Sequence, residues 1–306
     1  MTMYAASDPR SALNTPAART NPAPTAYKGA EYARFYDAPP QEVVDGSQTY
    51  YARGQNLIVA HTRGKAGLVL SRTNQLDEYV VLLPNRNTPV EVRWNGEGIT
   101  VDGYCIVVVP AGDSEVHLKG DGEVIRLLTT RADDLVAKCS NAESYIHSDP
   151  NVPPFQAWPD PVGGHKLRHY SLDVPPEPGR FGIIFRCSTI MVNFLPGSGP
   201  RDITKMSPHF HDDFEQYSLC VAGSYIHYLR WPWISDLNAW RPDDAELCAA
   251  PSVAVIPPPA IHTSRSIDPV KNVLVDIFSP PRADFSAKSG WVLNADEYPA
   301  PDTLAR

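Results

Sequence analysis

Residues 208–220 read PHFHDDFEQYSLC, and residues 71–83 read SRTNQLDEYVVLL. Set one on the other without gaps, Glu215 falls on Glu78 and the run that follows keeps step. Two further landmarks recur in the same order. VVVPAGDSEVH answers AVIPPPAIH, each an apolar run ending at a proline-containing turn. VIRLLTTRADDL answers VLVDIFSPPRADF, and both contain Arg-Ala-Asp. Three matched landmarks in one order mark an internal duplication.

The segments around these landmarks are short and rich in β-branched residues. NLIVAHT, AGLVLSRT, YVVLLP, VEVRW and YCIVVVPA in the first half are bounded by Gly, Asn, Asp or Pro, as are PSVAVIPP and NVLVDIFSPP in the second. This pattern predicts strands. The 31 prolines disfavour long helices. The expected organisation is an extended arm over 1–45, a β unit over 46–147, a Pro-rich linker over 148–166, and a second β unit over 167–306.

The chain has 306 residues, 42% of them hydrophobic, which is ordinary globular composition. A net charge of -8 with no basic run argues against nucleic acid as a partner. No apolar stretch approaches the length needed to cross a bilayer, and the first residues lack a signal-like apolar core, so a cytoplasmic protein is expected. Five cysteines without a CxxC pair are read as buried free thiols.

His209, His211 and Glu215 share odd parity, and residues two apart on a strand face one way. His262 follows an apolar strand and a proline turn. Three imidazoles and a carboxylate suit a divalent first-row metal and leave positions open for water or substrate. The spacing His209-Phe210-His211, three residues, Glu215 resembles the first motif of the cupin superfamily. Pro257 to His262 resembles the spacing of the second. Gly223 falls one place late, Ile203 stands where the opening glycine would be, and Pro259 and Ser266 replace the second motif's glycine and asparagine.

The resemblance covers about residues 48–290. It implies an all-β fold of two cupin-type double-stranded β-helix (jelly-roll) barrels in tandem. It also implies a metal site of His209, His211, Glu215 and His262, holding Fe, Mn, Ni, Zn or Cu, with iron favoured. In the first half Arg72 and Asn74 stand at the two histidine positions and Glu115 at that of His262, so that barrel is expected to hold no metal. An Arg72–Glu78 pair is a candidate substitute.

Arg265, Tyr217, Trp231 and Trp233 are candidate substrate contacts. Arg265 could clamp a carboxylate. Trp231, Trp233 and Trp240 lie in RWPWISDLNAW, an insertion relative to the first half, and either wall the metal site or bury themselves elsewhere. The favoured activity is a non-haem iron dioxygenase acting on a small polar or carboxylated molecule. A cupin isomerase, or a lyase or decarboxylase, and a non-catalytic metal- or ligand-binding cupin are the alternatives. A homodimer or other homo-oligomer is expected.

Overall fold

The computed structural model describes residues 9–12, 26–212 and 214–302. The chain forms two β barrels, each made of a large and a small antiparallel sheet. In the N-terminal barrel the large sheet runs, edge to edge, Arg168–Ser171, Cys105–Val109, Tyr79–Leu83, Gly122–Thr129, Leu57–Gly64, Ser47–Arg53 and Glu42–Val44. Its small sheet is Val69–Gln75, Gly112–Leu118, Val90–Trp94 and Glu97–Val101. In the C-terminal barrel the large sheet runs Glu31–Arg34, Ser252–Ile256, Gln216–Ala222, Asn272–Phe278, Met191–Gly197 and Ile183–Arg186. Its small sheet is Asp244–Ala249, Ser224–Arg230 and Ile261–Ser266.

Two short strands cross over. Glu31–Arg34, inside the expected arm, pairs with Ser252–Ile256 of the C-terminal barrel. Arg168–Ser171, just past the expected linker, pairs with Cys105–Val109 of the N-terminal barrel. Strand pairing therefore crosses the expected boundaries at 45 and 166, and each barrel closes an edge of the other. Pairing the edge strand removes a row of open backbone donors and acceptors.

The period-2 alternation of the strands explains the core. Val80, Leu82, Ile125 and Leu127 of the first large sheet pack in one cluster with Tyr217, Leu219, Val275 and Ile277 of the second. The two large sheets thus meet face to face. The opposite faces line the barrel interiors, and there the two halves differ. The N-terminal interior is apolar: Tyr79, Val81, Leu83, Val107 and Val116 share one cluster. In the C-terminal barrel the positions matching Tyr79 and Val81 are Gln216 and Ser218, both buried. Arg126 pairs with Val81, and Asp276 pairs with Ser218 in the matching register. The first interior is largely hydrocarbon around a buried Arg126, and the second carries polar side chains at the matching positions.

All five cysteines are buried and unpaired. Among the described residues no helix is long and apolar enough to cross a membrane.

Candidate metal centre

His209 and His262 are joined by a short antiparallel bridge: His209 N–H donates to His262 O at 3.0 Å, and His262 N–H to His209 O at 2.7 Å. The turn Pro257–Ala260, closed by Ala260 N–H to Pro257 O at 3.2 Å, delivers His262 to this bridge. The ring of His262 lies 4.4 Å from that of His209 and 5.0 Å from that of His211. All three rings are buried.

Each ring is oriented by the backbone. His209 Nδ1 meets Ser207 O at 2.8 Å, His211 Nδ1 meets Phe214 O at 2.9 Å, and His262 Nδ1 meets Ala260 O at 2.9 Å. A carbonyl oxygen only accepts, so Nδ1 carries the proton in each. Burial holds all three well on the neutral side: His262 is depressed to about 4, and His209 and His211 lie well below the usual range. A neutral imidazole has one proton, so each Nε2 is a basic lone pair, the form that binds metals.

Glu215 does not join them. Its Oε2 accepts from Tyr217 Oη at 2.5 Å and from Gln55 N–H at 2.8 Å, and its Oε1 accepts from Tyr145 Oη at 3.4 Å. Gln55 and Tyr145 belong to the N-terminal half, so Glu215 points into the contact between the barrels. The parity expected over 209–215 fails at the bend before Phe214. His209 and His211 precede it, and the strand begins only at Gln216. Along that strand Tyr217 and Leu219 face the other barrel, and Glu215 shares their side.

Gln216, the next residue, faces the histidines. Its Oε1 lies 3.2 Å from His211 Nε2 and 3.3 Å from His262 Nε2. Its Nε2 donates to Ser218 Oγ at 3.0 Å and to Asp276 Oδ1 at 3.2 Å, which fixes the amide this way round. Three acceptor atoms therefore face one spot inside a buried cavity. Lone pairs so placed repel unless something positive lies between them. A water molecule can donate to only two of the three. A divalent cation satisfies all of them, and the donor set of imidazoles plus an amide oxygen suits a first-row metal. Among the described residues no group of three or more His, Cys, Asp or Glu side chains forms a ready metal cage. The rings of His209 and His211 stand 6.4 Å apart, so closing on one ion takes small side-chain adjustments.

The site opens into a cavity of about 470 Å³, lined among others by Arg10, Arg201, Lys205, Ser207, Thr263 and Asp276. The other substrate candidates lie elsewhere. Arg265 is not in that lining, because Ser264 and Ser266 take the inward positions of its strand. Tyr217 Oη donates to Glu215 in the barrel contact. Trp231 is buried with Tyr27 and Leu229, its Nε1 donating to Lys28 O at 3.0 Å. Trp233 is 74% exposed and stacks on Trp240 at 4.4 Å, on a separate cavity. In the first half Arg72 pairs not with Glu78 but with Asp134, at 2.7 and 3.0 Å. Gln216, Asp276, Arg10 and Arg201 were the residues that spacing alone did not single out. The match of Gln216 to Tyr79, an inward position by strand parity, is the signal that finds the first.

These environments set a pH dependence. His227 is also buried and depressed, to about 3, so four histidines bind protons more weakly folded than unfolded. Their contribution to stability is full above about pH 6.5 and is lost as pH falls below that. Glu215, pushed up to about 7 by burial, and Asp276, also raised by burial, act the other way and lose their contribution as pH rises. Four groups outweigh two. The urea midpoint of the metal-free chain is expected to be lower at pH 5 than at pH 7; an equal or higher midpoint at pH 5 would contradict these environments.

No protein-family model and no curated protein matches the chain. Solved structures do. An oxalate decarboxylase studied for its substrate binding mode and reaction specificity switch aligns at 12% identity and TM-score 0.56, over 94% of this chain and 88% of that one. The oxalate decarboxylase of Lactobacillus farciminis in its formate complex aligns at 14% identity and TM-score 0.55, over 92% and 98%. AerE from Microcystis aeruginosa aligns at 8% identity and TM-score 0.52, over 77% and 93%. At these identities the likeness speaks to the fold: a pair of cupin-type barrels.

Proposed function

We propose that the chain is a metal-dependent enzyme acting on a small carboxylate, with carbon–carbon lyase chemistry of the decarboxylase type ahead of dioxygenase chemistry. The observation that carries the reading is the convergence of His211 Nε2, His262 Nε2 and Gln216 Oε1 on one buried spot. His209, His211, His262 and Gln216 would hold a divalent ion, which would act there as a Lewis acid on a substrate oxygen. Because the donor set is neutral, none of the ion's charge would be cancelled by its ligands. That favours an anionic substrate.

The rest of the cavity agrees in sign. Arg201 and Lys205 are in its lining, Lys205 beside Asp202 at 3.7 Å, and would draw in an anion. Asp276 and Ser218 hold the amide of Gln216 so that its oxygen faces the histidines. A dioxygenase acting on a partly apolar substrate would call for an apolar wall beside the metal, and neither Trp231 nor Trp233 lines this cavity. The oxalate decarboxylases among the structural neighbours favour the lyase alternative by analogy of fold only.

The test is to load the purified chain with Mn(II) or Fe(II) and supply a panel of small mono- and dicarboxylates, following carbon dioxide release and oxygen uptake together. Carbon dioxide without net oxygen uptake is the expected result. Stoichiometric oxygen uptake would restore the dioxygenase. Bound metal and bound carboxylate with no turnover would leave a non-catalytic binding protein.

A further inference from the structure

Where the repeat gives the C-terminal barrel Asp276, it gives the N-terminal barrel a buried cation. Arg126 pairs with Val81 as Asp276 pairs with Ser218. Asp276 has donors at its position: Ser218 Oγ at 2.7 Å and Gln216 Nε2 at 3.2 Å. The matching residues beside Arg126 are Val81 and Tyr79. Val124 and Leu128, two residues to either side on its own strand, join them in one apolar cluster. Arg126 is only 3% exposed, and its Nε has no hydrogen-bond partner.

Arg126 lines a cavity of about 140 Å³ together with Glu42, Tyr51, Arg72, Asp134 and Lys138. Both acids there are already engaged. Asp134 accepts from two nitrogens of Arg72, at 2.7 and 3.0 Å. Glu42 accepts from Tyr51 Oη at 2.6 Å and from Lys138 Nζ at 3.2 Å. Tyr51 and Glu42 are within reach of the Arg126 charge. Among the described residues, though, the ion pairs of this cavity are Arg72–Asp134 and Lys138–Glu42, and Arg126 forms none. Three cations thus face two carboxylates, and the cation left over is the one buried among hydrocarbon. A buried charge is costly without a counter-charge.

A small carboxylate suits both the charge and the space. Its two oxygens match the planar fork of a guanidinium, and the cavity has room for an anion of a few heavy atoms. No residue lining this cavity lines the one at the histidine cluster.

We propose that the N-terminal barrel is a binding site in its own right, in which Arg126 takes a small monocarboxylate of about the size of acetate. The barrel that carries Arg72 and Asn74 in place of the two histidines then serves as more than a scaffold. This site stands independently of the reading of the histidine cluster.

Isothermal titration of sodium acetate into the metal-free full chain tests it, with acetamide as the uncharged control and sodium chloride as a spherical anion. Acetate is expected to bind Arg126→Met at least about tenfold more weakly than the parent, the effect of losing a charge-assisted hydrogen bond. Arg126→Lys keeps the charge but loses the fork, so its affinity should fall between the two. Acetamide and chloride should bind the parent more weakly than acetate does. The Arg126 Nε–H resonance of the parent, identified by its absence from Arg126→Lys, should shift as acetate saturates the site. A parent that binds no acetate would overturn the proposal, as would an affinity of Arg126→Met within twofold of the parent. Chloride or acetamide binding as tightly as acetate would overturn the assignment of a carboxylate. An Arg126 Nε–H resonance that acetate leaves unmoved would overturn the site even if Arg126→Met does not fold.

Discussion

Replacing Glu215 by alanine is expected to cost the fold about 3–5 kcal/mol and to leave metal binding intact. The carboxyl group is fully buried and accepts from Tyr217 Oη, Gln55 N–H and Tyr145 Oη. Removing it leaves three buried donors without their acceptor, at about 1–3 kcal/mol each before relaxation. Total stability of a domain is only about 5–15 kcal/mol, so the loss is a large share. Glu215→Gln keeps an acceptor oxygen and should lose distinctly less. Urea denaturation of the two variants measures this. A midpoint for Glu215→Ala equal to that of the parent would remove Glu215 from the barrel contact.

The partner of this residue acts in mirror image. Glu78 Oε2 accepts from Ser188 N–H at 3.0 Å and Ser188 Oγ at 2.6 Å, and Glu78 Oε1 accepts from Tyr298 Oη at 3.1 Å. Ser188 and Tyr298 belong to the C-terminal half. Each barrel therefore sends the glutamate of its repeat across the contact to bind a backbone N–H and a tyrosine of the other. The duplication preserved a structural pin at this position.

His262→Ala should produce the largest functional loss. Metal affinity is expected to fall at least ~100-fold, beyond the 10–100-fold typical of losing an outer-shell partner. His262 lies within 5.0 Å, ring to ring, of both other histidines, and its Nε2 is one of the three converging acceptors. Its backbone bridge to His209 needs no side chain, so the fold should survive the change. Competition titration with a chromophoric chelator measures the affinity. An affinity within a few-fold of the parent would place any bound metal elsewhere.

Much of this was legible in the sequence. The all-β class follows from short runs bounded by turn residues, the duplication from three landmarks repeated in order, and the barrel form from the resemblance carried by the histidine motifs. The three histidines that come together were marked by spacing and by a proline turn. The error concerned a face, not a position. Aligning Glu215 on Glu78 gave the register correctly, but register does not say which side of the sheet a residue takes. That depends on where the strand starts, and the bend before Phe214 resets the alternation so that Gln216, not Glu215, turns inward. The crossing strands escaped for another reason. Glu31–Arg34 is four residues long and half-buried throughout, so it carries no alternation to detect. Arg10 could not be found from local pattern at all, since its partner Ser207 is 197 residues away.

On the proposed reading, the metal-facing residue of PHFHDDFEQYSLC is Gln216. Metal content after reconstitution, measured on the parent, Glu215→Gln and Gln216→Leu, tests it most directly. Glu215→Gln is expected to retain metal at the level of the parent, and Gln216→Leu to lose most of it. Metal lost in Glu215→Gln and retained in Gln216→Leu would contradict it.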